Sequence, residues 1–342
     1  MKYQEFETLL SDNSVYGLKS IRSLEPFMGP GETISPPTYA NVGYQIDRNQ
    51  ANGESVVVLD SVGSQANRTE PIFKRKPYSK LVPQVEVTLG TRTVNLIDLG
   101  HRGADAAIRL TELQIPLQEA FEQLERKRNG VALAKIAPTS LIFGAWDSRG
   151  TQAKTRRVVR HTIEGSDVFE LKRSAQYIPA VNYVKEELVS DTDIKKKAGD
   201  KNLGSKIGLL DNPATNTLGG VRVATIRRLG LLNINVIRNL KGENEEETKN
   251  LQNYLLGLAL VAFTFPAELD LREGCELAPK LGEKGQLVIR KETEEIDWEA
   301  DPKAILEFAQ AAAEAFGVGE DRNVTFDKKL ASIEIEKAMK GK

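Results

Sequence analysis

The chain reads as an α+β protein. Short apolar or alternating runs at 55–59, 84–89 and 221–237 have strand character, while 117–128 and 245–262 repeat their apolar residues at helical spacing. Long polar stretches separate these segments, so strands and helices come in an irregular order around insertions, which is the pattern of an α+β fold. With 342 residues, 40% of them hydrophobic, the chain can bury the core of one large elaborated domain.

Residues 1–54 are rich in Pro, Gly, Asn and Ser, and predict loops around at most a short helix near 6–10. The β-branched run 55–59 predicts a buried strand. The following SVGSQANR predicts a brief helix with Ser64 as its N-cap, which Pro71 cannot continue. In 72–135 a strand over 84–89 and a helix over 117–128, with Leu117, Phe121 and Leu124 on one face and a stop at Asn129-Gly130, predict a mixed insertion. TSLIFGA at 139–145 predicts a second apolar strand. Residues 165–220 turn polar, with three consecutive lysines at 195–197 and the turn-rich DNPATNTLGG, and predict a long, mobile projection. Strand character returns over 221–237, where LNINVI alternates. The helix over 245–262 has an acidic first turn and is closed by Pro266; a last one starts at Asp301-Pro302 and stops at Gly317.

The formal net charge of −1 conceals a division. Residues 1–242 hold 34 Lys and Arg against 26 Asp and Glu, whereas 243–342 hold 13 against 22. A neutral total therefore leaves room for a polyanionic ligand, since the local field of one face attracts it. No segment approaches the roughly 20 apolar residues of a membrane span, and no signal peptide is expected, so a cytoplasmic location is. The single Cys275 excludes an intramolecular disulfide and a multi-cysteine zinc site.

Catalytic patterns are poorly represented. HExxH, GxSxG and CxxC are missing, and 199–206 has the glycine spacing of a phosphate loop with its final Lys and Ser reversed. His101, beside Arg102, is the one residue for which a ribonuclease-like general-base role can be framed; a structural or phosphate-touching loop histidine is the favoured reading. His161 reads as a surface residue on a basic strand. No catalytic residue, metal site or cofactor is expected. Nucleic-acid contact has more support: Ser64, Gln65, Asn67 and Arg68 at a strand-to-helix junction, Arg149, Lys154, Arg156, Arg157 and Arg160 without an intervening acid, and Arg227 and Arg228 supply many phosphate partners. Aromatic residues are only 6%, which favours backbone over base reading.

The ordered set SPPTYA, LDSVGSQANR, HRGADAAIR, PTSLIFGAWDSR and GGVRVATIRR resembles the Cas-seven backbone subunit of type I-G CRISPR effector complexes, a member of the RAMP superfamily, over roughly 35–275. The resemblance implies an elaborated RRM-like (ferredoxin-like) palm with a fingers-like insertion at 70–135 and a thumb-like insertion at 165–220; 1–342 is expected to form a single such domain, with a helical, acidic C-terminal part at 243–342 expected from its charge and periodicity. It implies that Ser64, Gln65, Asn67 and Arg68 grip CRISPR guide RNA; His101, Arg102 and the basic segments are expected, from their charge and placement, to help hold it. Implied partners are the guide RNA, target DNA, further copies of the chain in a helical filament, and other Cascade subunits, namely a fused Cas-five/Cas-six subunit and a large subunit. No enzymatic activity is implied. The other readings are an endoribonuclease of the same superfamily with His101 as base, and a general RNA-binding structural protein. The acidic ETEEIDWEAD at 292–301 has no role in the resemblance; the charge division assigns Glu294, Glu295 and Glu299 to contact with a basic face of the next copy.

Overall fold

Strands supply the frame on which the basic segments hang. They are β1 (Val15–Pro26), β2 (Ile46–Arg48), β3 (Ser55–Asp60), β4 (Val159–Ser166), β5 (Thr225–Asn233), β6 (Leu277–Pro279), β7 (Gln286–Lys291) and β8 (Glu295–Asp297). Their spatial order is β8-β7-β1-β5-β4-β3-β2, with β6 also paired to β1, and every pairing is antiparallel. The computed structural model describes residues 3–340 apart from 149, 175, 199–200 and 214–216. β1 and β4 run parallel to each other on either side of β5, joined by helical connections. The chain then leaves β5 through a long helix and returns as β7 beside β1.

The helices used below are α1 (Tyr3–Ser11), α2 (Val62–Thr69), α3 (Gln114–Lys127), α4 (Thr139–Phe143), α5 (Ile234–Arg238), α6 (Glu245–Thr264) and α7 (Pro302–Phe316). α6 starts where Asn244 accepts from the Glu247 amide, and it buries Leu251, Tyr254, Leu255, Leu258 and Ala262. Those apolar residues sit against the sheet and against α7, where Gly257 is close enough that a Cβ would come 2.8 Å from the Ala309 Cα. Tyr254, fully buried, satisfies its hydroxyl on the Leu81 carbonyl at 2.8 Å and stacks on Phe316. α3 likewise buries Leu117, Phe121 and Leu124, and stops with Arg128 in the left-handed region at φ +58°.

Alternation in β5 decides which face each basic residue takes. Ile226, Arg228, Gly230 and Leu232 turn towards the helices, so Arg227, Leu229 and Leu231 lie on the opposite, open face. Register adds Lys19, Ile21 and Ser23 of β1 and Arg160, Thr162 and Glu164 of β4 to that open face, Glu164 opposite Arg227.

Four expectations are corrected. The N-terminal segment contains β1, a strand of 12 residues near the middle of the sheet. Residues 139–145 hold the buried helix α4 in place of a strand; Gly144, at φ +85°, ends it. The alternation of LNINVI stops at Asn233, whose side chain accepts from the Asn235 amide and caps α5. The C-terminal hundred residues carry strands as well as helices, including Arg322–Thr325, which pairs parallel to Val85–Leu89 in a separate three-stranded sheet. Glu295 is also used within the chain, since it pairs with Lys19 at 2.7 Å and Arg290 at 3.3 Å and ties β8 to β7 and β1.

Residues 70–135 pack into the main core through Ile72, Phe73, Leu81 and Phe121. In the stretch 165–220, Phe169–Lys172 pairs with Leu218–Arg222, and Phe169, Tyr177, Ile178, Leu188 and Ile207 are exposed. No helix among the described residues is long and apolar enough to cross a membrane.

Candidate nucleic-acid interface

LDSVGSQANR folds as the sequence expects at the level of elements, a strand running into a helix, but its polar groups mostly face inward. Ser61, not Ser64, is the N-cap of α2: its hydroxyl accepts from the Ser64 amide at 3.3 Å. Asp60, fully buried at the end of β3, is the hub. Gln65 Nε2 donates to Asp60 Oδ2 at 2.7 Å, Arg68 Nε lies 3.5 Å from the same oxygen, and Arg272 Nη2 lies 3.2 Å from Oδ1. Gln65 Oε1 accepts from Arg228 Nε at 3.0 Å, so this amide bridges α2 to β5. Arg68 donates further to the carbonyls of Asp270 and Leu271. A buried carboxylate is stable only when paired in this way.

Gln65 (2% exposed) and Arg228 (8%) are therefore locked in the interior. Burial, with the like charge of Arg22 on the neighbouring strand, pulls the Arg228 guanidinium down to about 10. His161 is also inside, against the expectation of a surface residue: its ring stacks on Phe263 at 5.3 Å. Burial first, and then Arg228, lower its pKa well below the usual histidine value. Ser64 is half-buried, and Asn67 is exposed at the end of α2.

Arg102 couples this scaffold to an open cleft. Its Nε donates to the buried Glu70 at 2.7 Å, Nη1 to the Gly144 carbonyl at 3.0 Å and Nη2 to Asn67 Oδ1 at 3.4 Å, and the guanidinium lies over the Phe143 ring. Burial raises the pKa of Glu70, while Arg102 opposes that shift.

The cleft, about 530 Å³ in volume, is lined by Gly100, His101, Arg102, Gly144, Ala145, Trp146, Lys154, Thr155, Arg156, Arg157, Arg160 and Asn233. No carboxylate is among these described lining residues. His101, Lys154, Arg156, Arg157 and Arg160 are exposed, and Arg160 and Asn233 connect the cleft to the open face of the sheet. Burial first, and then the like charges of Arg102 and Arg160, lower the Arg157 guanidinium. Gly144 has a second reason to lack a side chain here, because a Cβ would come 2.9 Å from Arg157 Cγ. A second depression of about 390 Å³ shares Lys154, Thr155 and Arg156 as its wall and adds Arg128, Arg238 and Lys241, with one carboxylate, Glu125, in its lining. Together they make a basic groove suited to a phosphodiester chain.

Six of the residues singled out from the sequence thus converge: His101, Arg102, Lys154, Arg156, Arg157 and Arg160. Ser64, Gln65, Asn67, Arg68 and Arg228 stand outside the cleft, with Asn67 linked to it through Arg102. Arg227 lies on the open face, about 13 Å along β5 from Leu231, the partner of Arg160. Arg149 falls outside the described residues. Sequence reasoning missed Arg128 and Lys241, which read only as a helix end and a loop, and Trp146, whose position directly before the basic run was the available signal. Among the described residues no group of three or more His, Cys, Asp or Glu is placed to hold a metal ion.

Comparison with known families adds one finding. Residues 18–170 match the family model described as CRISPR-associated protein GSU0053. This match supports a CRISPR-associated protein. It spans less than half of the chain, yet it contains β1 from Leu18 onward, α2, Arg102 and the whole basic run of the cleft. The chain matches no curated protein.

Proposed function

We propose that the chain is a Cas-seven-type backbone subunit of a type I-G CRISPR effector complex, binding guide RNA and presenting it for pairing with target DNA. The observation that carries this reading is the basic cleft, which has no carboxylate among its described lining residues and is drawn, apart from Asn233, from the stretch similar to a CRISPR-associated family. A protein that accepts any guide must hold phosphate and sugar and leave base edges free. Cations at the end of an open sheet face serve that purpose, and they extend through Arg128 and Lys241.

The strand order supports an RRM-like palm. Taking β1, β4, β5 and β7 as first to fourth in the chain, their spatial order is fourth-first-third-second, with helical crossovers before the second and the fourth. Apolar side chains exposed on 165–220 support contact of a thumb-like insertion with a neighbouring copy or another Cascade subunit. Binding without cleavage is supported by Arg102, whose guanidinium is already held by Glu70, Asn67 and Gly144. The endoribonuclease reading has in its favour only that His101 is exposed in the cleft; His101→Ala leaving guide maturation unchanged removes it.

Co-expression with a CRISPR array tests the proposal. The chain should co-elute from size exclusion in low salt with RNA whose 5′ ends derive from the repeat. Elution free of RNA overturns RNA binding, and RNA drawn from cellular transcripts at large overturns the CRISPR assignment.

A further inference from the structure

We infer that Trp146 is an aromatic platform on which one base of the bound RNA stacks, with Lys154 meeting an adjoining phosphate. This rests on the RNA-binding reading and adds a base contact to it. Of the two tryptophans in the chain, Trp298 is 8% exposed and Trp146 is 52% exposed on the wall of the basic cleft. The turn that presents Trp146 is firmly held. Buried Asp147 pairs with Arg109 at 3.1 Å and accepts from the Thr151 hydroxyl at 2.9 Å. The amides of Asp147 and Thr155 donate to Ala153 and Ala145 at 3.0 and 2.9 Å, closing the turn on both sides.

Lys154 lies over the ring, its ammonium 4.6 Å from the ring centroid. A large apolar face kept in water, on a hydrogen-bonded turn and beside the exposed cations of the cleft, fits a ligand that is both aromatic and anionic. A nucleotide is both. Stacking is compatible with any guide sequence, because every base offers a π-face. The fold contributes the indole and the ammonium from opposite sides of one turn, so a base and its phosphate can be met together.

Two signals read in parallel test this on the full chain: polarisation of a labelled single-stranded RNA, and tryptophan emission. An abasic sugar–phosphate polymer of equal length is the control ligand. RNA should quench wild-type emission, and Trp146→Phe, whose sole tryptophan is the buried Trp298, should lose the quench while keeping affinity within about threefold. Trp146→Leu should bind RNA roughly tenfold more weakly and the abasic polymer unchanged. Lys154→Ala should weaken both ligands alike. A polarisation rise without quenching, or equal loss of both ligands in Trp146→Leu, overturns the stacking platform and leaves RNA binding intact. No polarisation rise with wild type overturns RNA binding itself, and the platform with it.

Discussion

Arg102 and Arg157 line one cleft and have opposite duties. Arg102 neutralises a carboxylate with almost no access to water, so Arg102→Ala strands the Glu70 charge and should destabilise the fold by about 3–5 kcal/mol. Arg157 is exposed and surrounded by like charges, so Arg157→Ala should leave stability within about 0.5 kcal/mol and weaken RNA binding. Urea unfolding and RNA titration of the two variants separate these roles. His161 makes a prediction about pH. The folded chain holds it neutral, whereas the unfolded chain takes up a proton below about pH 6.5, so the unfolded state binds more protons and stability falls as pH drops through that value. The loss attributable to His161 approaches about 1.4 kcal/mol per pH unit while it stays neutral in the fold. His161→Phe keeps a ring against Phe263 and removes that component. Unfolding at about pH 7.5 and about pH 5.5 should show the variant gaining on wild type at the lower pH.

Among the elements, α2 is the most revealing, because two of the polar residues that the sequence offers as ligand contacts, Gln65 and Arg68, fasten it to its neighbours. Asp60→Asn removes the charge that Arg68 and Arg272 share and disturbs the Gln65 bridge to Arg228, and should destabilise by about 3 kcal/mol in thermal or urea unfolding. A sequence does not distinguish a Gln that bonds a buried Asp five residues back from one that faces a ligand. Strong periodic signals were legible: β3 from its β-branched run, and α3, α6 and α7 from apolar spacing with capping residues. β1 was hidden for a physical reason. An irregularity between Val15 and Gly17 shifts its register against β7, so Val15 and Leu18 share the core face three residues apart and simple alternation fails. Gly17 lowers the strand signal further, yet only glycine fits, because a Cβ would come 2.2 Å from the Leu232 carbonyl oxygen. The run 139–145 reads as a strand in the sequence because a short, fully buried helix and a buried strand look alike as an apolar run.

For the whole molecule, the fold gathers charge that the net value of −1 conceals. Basic residues from two connections, one after α4 and one at the end of α3, meet near the β5 end of the sheet, while one acid of the C-terminal third, Glu295, is paired at the surface with Lys19 of the same chain. The basic run was visible in the sequence; its junction with His101, Arg128 and Lys241 was not, because those contacts join residues far apart in the chain. The groove should grip the RNA backbone without regard to sequence. The most direct test is the salt dependence of RNA affinity for wild type and for the combined Arg156→Ala, Arg157→Ala, Arg160→Ala variant. Each single-strand phosphate contact contributes about 0.7 to the slope of log K against log salt, so the variant's slope should be shallower by about 2, equally for unrelated sequences. Equal slopes and equal affinities for the two proteins would contradict the account.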